Sequence, residues 1–521
     1  MITKTHKILP LVVATLLGPV ASHASVYSFD PGLAPSAPSG GTGAWDTTSG
    51  IWSLAGSDVV WGNDGTHTAT FGGTAGIVTI GGTIINANAL NFNTTGYTVT
   101  GGTLNLSGAS PTLTNAAGVS TTINSTLTGT TGLVLDGTGT VTINNAVNSV
   151  SGGIKLNSGT LITSTAGSLG SNVINLNGGT FTPRANLTNN ILVTANSTID
   201  MASTGSTFTV GALSIGAQTL SIGTGSSVSN GNISFGATTL TGNATVSVVK
   251  AGSLASGGAT FSSVSVGDSI ATATTTTFTL TSAGSGVPRA RTMSVTGVLS
   301  DNATDSTKKL ALTINNSGGV APLTVTLSGI NTYTGATSVN GGTLIVNGSL
   351  ASGSLVTVNS GATLGGSGII NGATTLLAGS KLSAGSNSTA TLTFSGGLDI
   401  SAAANDTGAF VFTLGTAFDK IVASVLTLGT NVLGAADFSL TSGTGFAASQ
   451  SYTLFQNTSF TGSFTSFIVS NIGGTGIDGT IALSGNNVVL TTSAIPEPST
   501  YALLLGLTAA LLAVTRRSRR S

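Results

Sequence analysis

At 521 residues the chain is long enough for several ordinary domains or one long repeat structure, yet charged residues make up only 6% of it. Its surface must therefore be built from hydroxyls, amides and glycine. Lys plus Arg and Asp plus Glu both total 15, but the basic residues gather at the two ends, leaving nine against 14 Asp between Val26 and Ala494. A mildly acidic body without a basic patch argues against nucleic acid as a partner, and the lack of cysteine excludes a disulfide framework.

In chain order, Lys4 and Lys7 precede an apolar run from Ile8 to Val20 and the small residues Ser22 and Ala24. That is the pattern of a secretory signal peptide over residues 1–24, with cleavage after Ala24. Residues 25–43 carry Pro31, Pro35 and Pro38 among Gly, Ser and Ala and read as a flexible linker. The only tryptophans, Trp45, Trp52 and Trp61, come next in WDTTSGIWSLAGSDVVWG. Flat apolar rings match sugar faces, so one reading is a glycan-stacking platform. The favoured reading is a cap that covers the first apolar layer of a β stack.

Residues 44–400 read as a β-helical repeat region. Short runs of Val, Ile, Leu and Thr are separated by Gly-Gly, Ser-Gly or Asn-Gly, and the β-branched content argues for strands with positive-φ turns between them. The turn signal recurs at Asn157-Ser-Gly-Thr and Asn177-Gly-Gly-Thr, 20 residues apart, and at Asn340-Gly-Gly-Thr and Asn359-Ser-Gly-Ala, 19 apart. A period near 20 with several short strands per turn predicts a right-handed parallel β-helix, or solenoid, with turn asparagines stacked in ladders. The segment Leu327 to Gly348, LSGINTYTGATSVNGGTLIVNG, resembles the autotransporter-associated β-strand repeat, with Asn331-Thr-Tyr333-Thr-Gly-Ala-Thr and Asn340-Gly-Gly-Thr-Leu in its places. The resemblance implies a β-helical passenger on a cell surface. Residues 401–493 concentrate phenylalanine and lengthen their strands, which predicts a C-terminal β module, either a sandwich or enlarged last coils.

Chemistry is sparse. Past residue 24 the only histidine is His67, beside Asp64 in NDGTHTATFGG, and it reads as a turn residue rather than a base. The close acid pairs are Asp301 with Asp305 and Asp399 with Asp406; Arg289 and Arg291 with Asp268 or Asp301 are the nominal set for a polysaccharide lyase. Gly473 to Thr480 approaches a calcium-binding nonapeptide in one copy where stacked copies are needed. No catalytic residue, metal site or cofactor is assigned, and the expected role is non-enzymatic. The alternative is a polysaccharide-binding or polysaccharide-degrading protein, a lyase or hydrolase, on the same scaffold.

The chain finishes with IPEPSTYALLLGLTAALLAVTRRSRRS, residues 495–521. Tyr501 to Val514 is apolar apart from Gly and Thr, with Leu504, Leu507 and Leu511 between them. A helix of that length spans about 21 Å against a hydrocarbon core of about 30 Å. Extending it back towards Ile495, with Arg516 and Arg517 snorkelling and Arg519 and Arg520 beyond them, makes a short transmembrane anchor. Pro496, Glu497 and Pro498, the apolar run and the Arg-rich end together resemble the PEP-CTERM sorting signal of exopolysaccharide-producing Gram-negative bacteria, expected over residues 494–521. The resemblance implies processing near Pro496-Glu497-Pro498 by the membrane protease exosortase. It also implies a transient inner-membrane anchor and delivery to the cell surface or an exopolysaccharide matrix.

Overall fold

The computed structural model describes residues 24–34, 37–201, 206–224, 231–250, 257–283, 291–316, 323–385 and 389–494. The expected signal peptide up to residue 23 and the sorting tail from Ile495 lie outside the described residues. Among the described residues the fold is all-β, with two single 3-10 turns and no helix long and apolar enough to cross a membrane.

Strands form because apolar and hydroxyl residues alternate. In Thr160–Thr163, Leu161 is buried and Thr160 and Ile162 lie nearer solvent, and the same alternation runs through most of the strands. The chain divides into two compact units, residues 1–139 with 149–152, and residues 140–148 with 153–521.

In the first unit, β1 (Val26–Phe29), β2 (Gly43–Trp45), β3 (Trp52–Leu54), β4 (Ser57–Val59) and β5 (Thr68–Phe71) lie ahead of the regular stack. β1 pairs parallel with β5 and antiparallel with β3, and β3 pairs antiparallel with β4. The stretch expected as a flexible linker therefore opens with a strand. Tyr27 and Phe29 are buried, and the Asp30 carboxylate accepts the amides of Ala34 and Ser39 and the Ser39 hydroxyl. Beyond β5 the pairing is parallel and in register: Ala69 lies against Leu90, Leu90 against Leu113 and Leu113 against Leu135, a step of 21 to 23 residues per coil. All four are buried, so the core is a column of apolar side chains.

The second unit stacks in the same manner. Leu161 pairs with Phe181 and Phe181 with Ile199, while Thr337 pairs with Val356 and Val356 with Thr374, steps of 18 to 20. Between them the coils lengthen: Ala244 pairs with Phe278 and Thr275 with Lys309, each 34 residues on. The reason is local, since Asn232–Leu240, Gly258–Val266 and Thr275–Ala283 are nine-residue strands with no glycine pair to turn them early. Parallel pairing continues through residue 400, from Leu382 to Phe410 and from Phe410 to Phe438. Antiparallel pairs then finish the unit: Ser451–Gly462 with Asn487–Ala494, Asn487–Ala494 with Ile477–Ser484, and Ile477–Ser484 with Phe467–Val469. Parallel-strand sheets built this way are consistent with a β-helix or solenoid.

Side chains at the corners explain the repeat. Asn177 Nδ2 donates to Asn157 Oδ1 at 2.9 Å and Asn359 Nδ2 to Asn340 Oδ1 at 2.8 Å, so the turn asparagines do bond from coil to coil. Asn331 is buried and ties three coils, accepting the Leu299 amide and donating to the Ser349 carbonyl, both at 2.9 Å. Tyr333 is fully buried with its hydroxyl 2.5 Å from Thr337 Oγ1, which itself lies 2.8 Å from Ser354 Oγ.

Candidate functional site

The tryptophan cluster is built from β1 to β5. Trp45 and Trp52 are 0% exposed and Trp61 2%. Ring centroids are 5.1 Å apart for Trp45 and Trp52, 4.8 Å for Trp52 and Trp61, and 5.1 Å for Trp45 and Trp61, with tilted or edge-on planes. Tyr27, Phe29 and Phe71 complete the packing, with Phe29 5.2 Å from Trp52 and Phe71 5.6 Å from Trp45. Trp61 Nε1 donates to the Asn86 carbonyl at 3.1 Å, whereas the indole nitrogens of Trp45 and Trp52 have no partner among the described residues. A sugar stacks only on an exposed ring face, so these three rings form no glycan platform; they seal an apolar layer.

His67 lies at the edge of this cluster, buried, with its ring 4.9 Å from Tyr27 and 6.0 Å from Trp61. Nε2 is 3.3 Å from Asp64 Oδ2, and Nδ1 accepts the Ser25 amide at 3.2 Å. Burial raises the Tyr27 phenol above its ordinary range, and the nearby Asp64 charge adds to the rise. The hydroxyl beside it, Thr66 Oγ1, lies 3.4 Å from His67 Nδ1 and donates to Asp64 Oδ1 at 2.9 Å.

One charged cluster does gather in the second unit. Asn302 Nδ2 donates to Asp268 Oδ1 and Thr304 Oγ1 does the same, both at 2.9 Å; Lys308 Nζ donates to the Asp268 carbonyl at 2.8 Å and stands 3.9 Å from Asp305 Oδ2. Side-chain hydrogen bonds, from Asn302 and Thr304 to Asp268 and from Thr307 to Asp305, hold both carboxyls below the ordinary range, the reverse of what a general base needs. Asp301 is spent on structure, accepting the amides of Leu310 and Thr334. Asp399 caps Ser401 and Asp406 takes the Gly379 amide, so that pair serves turns as well. Arg291 occupies no solvated loop: it opens the strand Arg291–Val295 and is 3% exposed, while Arg289 lies outside the described residues. Asp478 accepts the Asn471 amide inside the calcium-like stretch, and no group of three metal-ligating side chains occurs among the described residues.

The hydroxyl-rich surface expected from composition is arranged in outward-facing columns, whose register and grooves the sequence did not give away. Thr180 pairs with Thr198, and Thr198 with Ser221, on neighbouring strands, and with Asn196, Ser197 and Thr219 they line an open groove of about 510 Å³. A smaller groove of about 190 Å³ lies over Gly258, between Asn232, Thr260, Thr292 and Ser294. Both are lined by neutral groups and are rich in hydrogen-bonding atoms, chemistry able to hold a polyhydroxylated chain.

The last strand, Asn487–Ala494, ends where the expected sorting signal begins. Residues 494–520 match the PEP-CTERM protein-sorting motif. The chain carries a PEP-CTERM sorting motif. A second similarity covers 105 residues, 19% of the chain, at 49% identity to the Adhesin BmaC autotransporter of Brucella suis biovar 1 (strain 1330). That match supports the autotransporter-associated repeats, while the aligned part is only 3% of the adhesin's own length. Pro496, Glu497 and Pro498, the anchor residues Tyr501, Leu504, Leu507, Leu511 and Val514, and Arg516, Arg517, Arg519 and Arg520 all lie outside the described residues.

Proposed function

We propose that this PEP-CTERM protein is an exported, non-enzymatic, adhesin-like or structural component of the cell surface or extracellular matrix. A secretory signal removes it from the cytoplasm, and a right-handed parallel β-helix presents its hydroxyl and amide faces. The tail anchors it in the inner membrane until exosortase processes it. The observation that carries this reading is a sorting motif beginning at the last residue of an all-β body whose parallel-paired strands are followed by a closing antiparallel set. Glu497 is the only glutamate of the chain and stands between Pro496 and Pro498, so it gives the motif its one carboxylate. Glu497→Ala should leave full-length chain in the membrane fraction and deplete the surface fraction, read by immunoblot of fractionated cells with and without exosortase. Equal surface delivery of both forms would overturn the sorting role.

The two neutral grooves favour exopolysaccharide as the surface partner. The degrading alternative has less support, because the clustered acids are held ionised by structural hydrogen bonds.

A further inference from the structure

We propose that His67 and Asp64 form a recognition site for the chain's own mature amino terminus, the α-ammonium of Ser25. This rests on the reading of residues 1–24 as a signal peptide cleaved after Ala24. Hydrolysis of that bond adds water across it, leaving a carboxylate on Ala24 and an ammonium on Ser25.

Ser25 is already seated from both sides. Its nitrogen donates to His67 Nδ1 at 3.2 Å and its carbonyl accepts the Thr68 amide at 2.9 Å. The next residues enter the parallel ladder at once, Val26 against Thr68 and Tyr27 against Ala69. Because Nδ1 accepts, the imidazole proton of neutral His67 sits on Nε2, 3.3 Å from Asp64 Oδ2. Asp64 is set for this role: its other oxygen, Oδ1, takes the amide and hydroxyl of Thr66, both at 2.9 Å. The same tautomer accepts from an ammonium. Cleavage thus exchanges a neutral amide donor for a charged one without moving the acceptor, and the Asp64 carboxylate on the far side of the ring strengthens the bond.

The site gains its importance from the residues just beyond Ser25. Tyr27 and Phe29 are two and four positions further on, and both enter the tryptophan cluster, at 4.9 Å from Trp61 and 5.2 Å from Trp52. The hold on the amine and the closed aromatic end are therefore linked, so release of the signal peptide strengthens a seat that β1 already occupies.

The test uses the full mature chain. Its first residue is read by N-terminal sequencing, and its thermal unfolding is compared with that of a chain retaining Ala24 and of a chain acetylated at Ser25. Ser25 should be the first residue, and each modified chain should melt lower by about 2 °C or more. In Asp64→Asn, a change at a side chain 39% exposed and so tolerable for folding, the gap should shrink towards zero. Identical melting of the three wild-type forms, with Ser25 confirmed as first residue, would overturn the site and leave the cleavage reading standing. A different first residue would remove that reading and the site with it.

Discussion

Asp30 illustrates how a polar residue stabilises a fold that has few charges to use. It is fully buried at the end of β1, and burial by itself would raise its carboxyl. Donation from the Ser39 amide and hydroxyl and from the Ala34 amide outweighs that, and the net shift is downward. A lowered native value means that the stabilisation is fully present above the unfolded value of about 3.9 and is lost as pH falls through the native one. Asp30→Ala should therefore cost about 1–3 kcal/mol in urea unfolding at pH 7, with the difference narrowing below about pH 4. A difference independent of pH would mean that the carboxylate contributes packing alone. The proline-rich sequence around Asp30 concealed this, because the same composition serves linkers and tied turns; the distinction lies in the partner Ser39, nine residues on. The tryptophans were more legible: three large apolar rings in a chain so poor in aromatics had to cover something. Their burial decides between the two uses of a ring face.

At the scale of the coil, glycine is what permits neighbouring turns to approach. Gly329, Gly348 and Gly368 succeed one another up a corner, and a Cβ on Gly348 would sit 2.0 Å from the Gly329 carbonyl oxygen, one on Gly368 2.1 Å from that of Gly348. No side chain fits there, and the coils would have to part. Gly348→Ala should lower stability by about 1–3 kcal/mol in urea unfolding, whereas Gly434→Ala, with open space around it and φ of −134°, should change little. Equal effects would place the cost in backbone entropy and not in contact between coils. The regular coils were legible because their turns repeat as glycine pairs and asparagines at near-constant spacing. The 34-residue coils were not: a threonine-rich run without glycine such as Thr275–Ala283 announces a strand without announcing where it turns. That lengthening is also why Asp268 and Asn302, 34 residues apart, meet unforeseen. The change to antiparallel pairing after Ser451 was equally hidden, since alternation of apolar and polar residues is the same whichever way the neighbouring strand runs.

Across the whole molecule, charge is segregated by address. The body between Val26 and Ala494 holds nine Lys or Arg against 14 Asp, while Arg516, Arg517, Arg519 and Arg520 crowd the last six residues. In the proposed anchor a helix over Tyr501–Val514 would span about 21 Å against a bilayer core of about 30 Å, so hydrophobic transfer alone would leave it marginal. In that proposal the arginines supply the missing definition: their stems would extend the apolar length, and their charges would resist passage to the outer side. Replacing all four with Ser should therefore weaken retention before it affects folding. The unprocessed Glu497→Ala chain should pass from the carbonate-resistant membrane pellet into the soluble fraction when the four arginines are also changed. Its β-type circular dichroism should be unchanged, because the substitutions lie beyond the last strand, Asn487–Ala494. Undiminished retention in the pellet would mean that the apolar run suffices by itself and that the arginines serve recognition by the processing enzyme instead.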